Sequence, residues 1–175
     1  TLLTFMLLHS PLMAQKERLF DTIQQRGDAA WQHAQQIWQW AEPGYQELKS
    51  SKLLADDLAA AGFDVKRGVA DIPTAFTATY GKGKPVIGVL GEFDALPGLN
   101  QQASAERGKL EGASTNYGHG CGHHLFGVAS AEACVAIARQ IESGQLNGTV
   151  RFYGCPAEEG GSAKVFMVQA GLFKD

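Results

Sequence analysis

The sequence predicts an α/β fold built on a mixed, largely parallel sheet, and three observations carry that reading. Stretches with apolar residues at three- and four-residue steps alternate with short apolar or alternating runs, the periods of helix and strand. Two of the strand-like runs, residues 86–90 and 149–153, flank a helical stretch over 123–142. That order makes a strand–helix–strand crossover, whose two strands run parallel and close together. Glycine-rich acidic segments follow directly on both strands, at the sheet edge where open α/β folds bind ligands.

Taken in order, apolar residues Leu19, Ile23, Ala30, Trp31, Ala34, Ile37, Trp38 and Ala41 predict an amphipathic helix over 16–41, ended by Pro43-Gly44. His33 within it reads as a surface or cap residue. Ser50 or Ser51 is placed to cap a second helix running to Ala61, with Gly62 just past its end. Residues 63–66 alternate as a short strand. Residues 75–80 and 86–90 read as strands joined by the turn 81–85, and so as a hairpin. The second runs into Gly91-Glu92-Phe93-Asp94-Ala95-Leu96-Pro97-Gly98, which puts two carboxylates at its C-terminal end. A long polar loop over 99–117 follows, a length that goes with a functional or flexible role. The helix over 123–142 is closed by Gly144 and carries Cys134 in its core face. After the strand 149–153, Cys155 reads as packing, and 162–170 as a last helix with Gly171 at its end.

At 175 residues, 45% hydrophobic and 19% charged, the composition is that of one ordinary globular domain. Fifteen basic against 18 acidic residues give a net charge of −3 with no basic stripe, which argues against a nucleic-acid partner. Three irregularly spaced cysteines, Cys121, Cys134 and Cys155, do not suggest a disulfide framework. The opening Leu2-Leu3-Thr4-Phe5-Met6-Leu7-Leu8, followed by Ser10 to Gln15, reads as the apolar core and cleavage region of an export signal, a remnant over 1–14 ahead of a domain over 15–175. It is too short for a stable membrane span. The competing reading is a partly apolar first turn of helix. On the first, the protein is periplasmic or secreted; on the second, cytoplasmic.

Chemistry concentrates in Gly118-His119-Gly120-Cys121-Gly122-His123-His124 and in Pro156-Ala157-Glu158-Glu159-Gly160-Gly161. Alone, Cys121 would read as a small buried hydrophobe, and the glutamate pair as a solvated turn. The surrounding glycines and the crossover change this, because together they bring Asp94, Cys121, His123, Glu158 and Glu159 to one sheet edge. At a helix start, Cys121 is expected to have its thiolate, the metal-binding form, favoured by the helix dipole. His123 adds a nitrogen donor and Glu159 an oxygen, which leaves Glu158 free to take a proton from water and Asp94 to orient a ligand histidine. A cysteine hydrolase using Cys121 as nucleophile is a second reading. A non-catalytic metal-binding or partner subunit of a hydrolase is a third. No Gly-x-Ser-x-Gly or phosphate-cradling loop occurs.

These segments, with 83–98 and 151–162, resemble the M20 metallopeptidase and amidohydrolase family, and within it the aminobenzoyl-glutamate utilisation protein B type. The resemblance covers nearly everything after about residue 21. It implies the front part of a three-layer catalytic domain of the zinc-peptidase kind, and a pair of divalent metal ions, zinc or manganese. The implied reaction is hydrolysis of an amide in a small N-acyl or N-aroyl amino acid or dipeptide, by a metal-activated water with a glutamate base. Position by position, it makes Cys121, His123 and Glu159 metal ligands, Glu158 the base and Asp94 the supporting aspartate. Glu92 stands where many members carry a ligand histidine, and His124 where related amidohydrolases often have aspartate or asparagine. Similar proteins continue into a lid and dimerisation domain and return with further histidine ligands. The resemblance therefore implies a dimer or hetero-oligomer for the complete protein, and a chain that does not turn over by itself. It leaves the substrate-binding residues unknown.

Overall fold

The computed structural model describes residues 11–174. Helix α1 spans Pro11–Trp40, α2 Leu48–Ala60, α3 His123–Glu142 and α4 Ala163–Gln169; the strands are β1 Asp64–Arg67, β2 Phe76–Lys82, β3 Val86–Glu92, β4 Leu96–Pro97, β5 Tyr117–Gly118 and β6 Gly148–Cys155. Residues 2–8 of the apolar opening lie outside the described part, while Pro11 to Ala14 already belong to the backbone of α1. Among the described residues, no helix is long and apolar enough to cross a membrane.

The main sheet has the order β1-β2-β6-β3. The expected crossover is present: β3 and β6 pair in parallel, with Val86 opposite Thr149 and Glu92 opposite Cys155, and α3 connects them. The expected hairpin is not, because β6 lies between β2 and β3 and pairs antiparallel with β2. With β1 also antiparallel to β2, the sheet is mixed, and less parallel than the sequence suggests. The reason is burial on both faces. Val150 and Phe152 of β6 enter the larger core, while Tyr153 and Cys155 enter a smaller one on the opposite side. A strand apolar on both faces is most stable between two others. Residues 83–85 step across its end, held there by Thr149 N donating to Pro85 O at 2.9 Å and Thr149 Oγ1 donating to Gly83 O at 2.8 Å.

Three layers result. The larger core packs Ala34 and Ile37 of α1, Leu54 and Leu58 of α2, and Val128, Ala131 and Val135 of α3 onto Phe76, Ala78, Val150 and Phe152 of the sheet. On the other face, Met167 of α4 packs against Tyr153 and Cys155. Cys134 and Cys155 are both buried and free, as expected of packing residues. Neither Ser50 nor Ser51 caps α2. Its first residue is Leu48, and the carboxylate of Glu42 accepts from Lys49 N, Ser50 N and Ser50 Oγ at 2.8–3.1 Å. A carboxylate reaching back from the preceding turn takes the place that the sequence assigns to a local serine. The predicted 99–117 loop is closed at its base by β4 pairing with β5.

One ion cluster clamps all three helices of the larger layer. The Arg26 guanidinium of α1 donates to Asp57 of α2 at 2.7 Å and to Glu132 Oε1 of α3 at 3.0 Å. Glu132 is only 6% exposed, so removing its partner leaves a buried charge uncompensated. Arg26→Met is therefore expected to cost the full-length protein on the order of 3 kcal/mol. Urea unfolding measures this, and added salt should reduce the loss only in part, because Glu132 is buried while the Arg26 side chain is 27% exposed.

Candidate metal centre

Three chain segments deliver the site. At the end of β3, Phe93 is fully buried and stacks on Phe76 with ring centroids 6.2 Å apart. Alternation then sends Glu92 and Asp94 to the opposite side. Helix α3 starts beside them because it packs unusually close to β3. A Cβ added at Gly127 would stand 2.5 Å from the carbonyl oxygen of Glu92, so only glycine permits the approach. Gly122, at φ +79, turns the chain into the helix, with His123 as its first residue. The end of β6 leads through Pro156-Ala157 into Glu158-Glu159.

The structure brings all five candidate residues together, around His123. Its Nδ1 donates to Asp94 Oδ1 at 2.9 Å, and Asp94 Oδ2 accepts from the backbone N–H of Glu159, also at 2.9 Å. Its Nε2 lies 3.0 Å from Glu92 Oε2 and 3.9 Å from both Glu158 Oε2 and Glu159 Oε1. Two overlapping trios have donor atoms within 4.8 Å of one another: Cys121, His123 and Glu159, and Glu92, His123 and Glu158. Cys121 is exposed, unlike a packing cysteine.

Electrostatics follow from this crowding. Burial pushes Asp94 up, but the His123 ring, the Glu159 N–H and the His123 charge outweigh it and hold the carboxyl below its ordinary value. Burial pushes His123 down, yet the hydrogen bond to Asp94 and the charges of Asp94, Glu92 and Glu159 raise it above an ordinary imidazole. The expected thiolate at Cys121 is not favoured. The Glu159 carboxylate beside it, with Glu158 and Glu92, raises the thiol above its ordinary value, so the negative charge around Cys121 outweighs the helix dipole.

One neighbour is not legible from sequence as a site residue. Lys164, early in α4, pairs with Glu92; its place on a separate helix gives no spacing signal. The rings of His119 and His124 lie 5.0 Å apart, and the Nδ1 of each is buried without a hydrogen-bond partner. His119 Nε2 donates to Ile37 O at 3.1 Å, and burial, helped by the charge of His124, pushes this imidazole down to about 4. Neither ring belongs to the two trios.

These residues fit a divalent metal ion. Glu159 Oε1 is buried yet has no hydrogen-bond partner, an expensive arrangement for a carboxylate unless a cation satisfies it. A sulfur, an imidazole nitrogen and a carboxylate oxygen are the donor types zinc takes. Asp94 on the far nitrogen of His123 is the carboxylate that fixes a ligand histidine's tautomer and orientation. Cys121, His123 and Glu159 would hold one ion, and Glu92 and Glu158 add carboxylate oxygens near the same Nε2 of His123.

Fold and site together define a three-layer α/β domain with a candidate metal centre at one edge of its sheet. No family model matches the chain. It is 51% identical to one of the subunits of p-aminobenzoyl-glutamate hydrolase from Escherichia coli K12, over 81% of the chain and 29% of that protein. It is 31% identical to hippurate hydrolase of Campylobacter jejuni, over 79% of the chain and 34% of the relative. In fold it matches a Bacillus subtilis protein described as a dinuclear metal-binding peptidase from the M20 family, with a TM-score of 0.67 at 22% identity, over 90% of the chain and 40% of that structure. The chain is thus similar in sequence to these amidohydrolases and in fold to a peptidase of the M20 family. It spans about a third of the length of these curated relatives.

Proposed function

We propose that the complete protein hydrolyses an amide bond joining an acyl or aroyl group to an amino acid, or the bond of a small dipeptide, with one or two divalent metal ions in this centre. The convergence of both donor trios on the single imidazole of His123 carries the reading. The two curated relatives, named for hydrolysis of aminobenzoyl-glutamate and of hippurate, support an N-aroyl amino acid as the substrate class. Metal bound here supplies Lewis acidity, which polarises a carbonyl and makes water a better nucleophile near neutral pH. Glu158 takes the proton of the attacking water and passes it to the departing amine. Asp94 holds His123 through Nδ1, so that Nε2 faces the donors, and through the Glu159 N–H it holds the glutamate turn.

The His123 ring beside Cys121 is engaged by Asp94 and Glu92, which disfavours the cysteine-hydrolase reading, since that needs a histidine free to take the thiol proton. One relative is named as a subunit of its hydrolase, which supports a hetero-oligomer; in such an assembly a non-catalytic role for this chain is the second reading. Chelation tests both. The full-length protein, alone and with any partner subunit, is expected to lose hydrolysis of an N-aroyl glutamate on chelation and to regain it with zinc or manganese. Activity that survives chelation and is lost on thiol alkylation would favour the cysteine chemistry instead. Full activity of the partner subunit alone would make this chain non-catalytic.

A further inference from the structure

The side chain of Glu47 is fully buried, and the chemistry above makes no use of it. One of its oxygens accepts from the backbone N–H of Ala157 at 2.7 Å, while Oε2 is buried with no hydrogen-bond partner. Burial raises this carboxyl above its ordinary value, against the lowering effect of the backbone N–H groups it accepts from. Ala157 itself is in the left-handed region at φ +51, a conformation that a residue with a Cβ holds only when its surroundings impose it. Glu158 and Glu159 follow it directly.

The stretch carrying Glu47 meets that turn at two more points. A Cβ added at Gly44 would lie 2.9 Å from both Cα and Cβ of Ala157, so the two backbones touch. The Tyr45 hydroxyl donates to Gly161 O. The same stretch also holds the segment of Asp94, since Ala95 N donates to Glu42 O at 2.9 Å and Pro43 bridges to Ala95 in parallel. Residues 42–47 thus lie behind both Asp94 and the glutamate turn.

We propose that residues 42–47 form a cradle that sets the glutamate turn, with Glu47 as its positioning residue, holding Ala157 in the conformation from which Glu158 and Glu159 face His123. The consequence for metal rests on the function proposed above; the effect on the turn does not. The hydrogen bond needs an acceptor oxygen rather than a charge, so an amide in the place of the carboxyl should serve.

The test compares Glu47→Gln, Glu47→Leu and Gly44→Ala in the full-length protein. Three readouts are taken: thermal melting, amide hydrogen exchange across residues 157–161, and zinc affinity by calorimetry. Glu47→Leu is expected to melt cooperatively, to exchange faster across the turn, and to bind zinc about ten- to a hundredfold more weakly, the usual cost of losing a group that supports ligands. Glu47→Gln should stay close to native in both exchange and affinity. Gly44→Ala pushes on Ala157 while leaving Glu47 intact, so it should weaken zinc binding by itself and decides the matter if Glu47→Leu does not fold. Native exchange and native zinc affinity in a folded Glu47→Leu protein would overturn the proposal, as would a Glu47→Gln protein impaired as badly as Glu47→Leu. If the unaltered protein binds no zinc, the metal reading fails. The exchange measurement then decides alone, with unchanged protection in Glu47→Leu counting against the cradle.

Discussion

Glu158→Gln in the full-length protein is expected to lower amide hydrolysis about a hundred- to ten-thousandfold, the usual worth of a general acid–base, while its metal content stays near native. The substitution keeps shape and removes only the proton acceptor. Glu159→Gln is expected to do the reverse in order of events, losing metal first and activity as a result. Distance alone does not separate the two glutamates, because both lie 3.9 Å from His123 Nε2. Surroundings do. Glu159 has a buried oxygen without a partner and a backbone N–H held by Asp94, the marks of a side chain placed for a cation. The Glu158 side chain is 41% exposed and can reach a substrate at the surface of the site. Metal content and turnover measured side by side decide between the roles. Near-normal turnover of Glu158→Gln would remove it as the base. Loss of metal in that variant would make Glu158 a ligand beside Glu92, as the second trio permits.

Much of this centre can be read from the chain because its residues follow local rules. His123 starts a helix whose apolar period and closing Gly144 are plain in the sequence, and the structure gives that helix the expected span, His123–Glu142. The parallel pairing of β3 with β6 follows from the handed geometry of the crossover and brings Asp94 near Glu159 without any contact being assumed. What cannot be read depends on partners distant in sequence. The position of β6 between β2 and β3 reflects burial on both faces, and the strand signals of residues 75–80 and 86–90 are the same whether they pair directly or through a third strand. Glu42 and Glu47 look like ordinary helix-flanking acids. Only folding turns one into the cap of α2 and buries the other against Ala157, 110 residues away. The protonation of Cys121 escapes the sequence for a related reason, since a helix dipole is local and visible, whereas the three carboxylates that outweigh it come from β3 and from the turn after β6.

Asp94→Ala is expected to weaken metal binding by about ten- to a hundredfold and to destabilise the protein at the same time, because Asp94 is 1% exposed and accepts two hydrogen bonds that nothing nearby can replace. Leaving a buried donor unpaired costs about 1–3 kcal/mol, and here both the His123 Nδ1–H and the Glu159 N–H would be left. Asp94→Asn should not rescue fully. Asp94 uses both oxygens as acceptors, whereas an amide offers one oxygen and turns an NH₂ group toward the other donor. The two variants also separate hydrogen bonding from charge through pH. The Asp94 carboxyl is held below its ordinary 3.8, so its stabilisation is present above that value and is lost as pH falls through the lowered one. His123 is raised above its ordinary 6.5, so its contribution is complete below 6.5 and fades as pH rises through the raised value. In the metal-free protein the stability gap between native and Asp94→Asn should therefore be widest between about pH 3.8 and 6.5 and narrow on both sides. Urea unfolding across that range measures it, and a gap independent of pH would show that the pair acts by hydrogen bonding alone, with no ionic part.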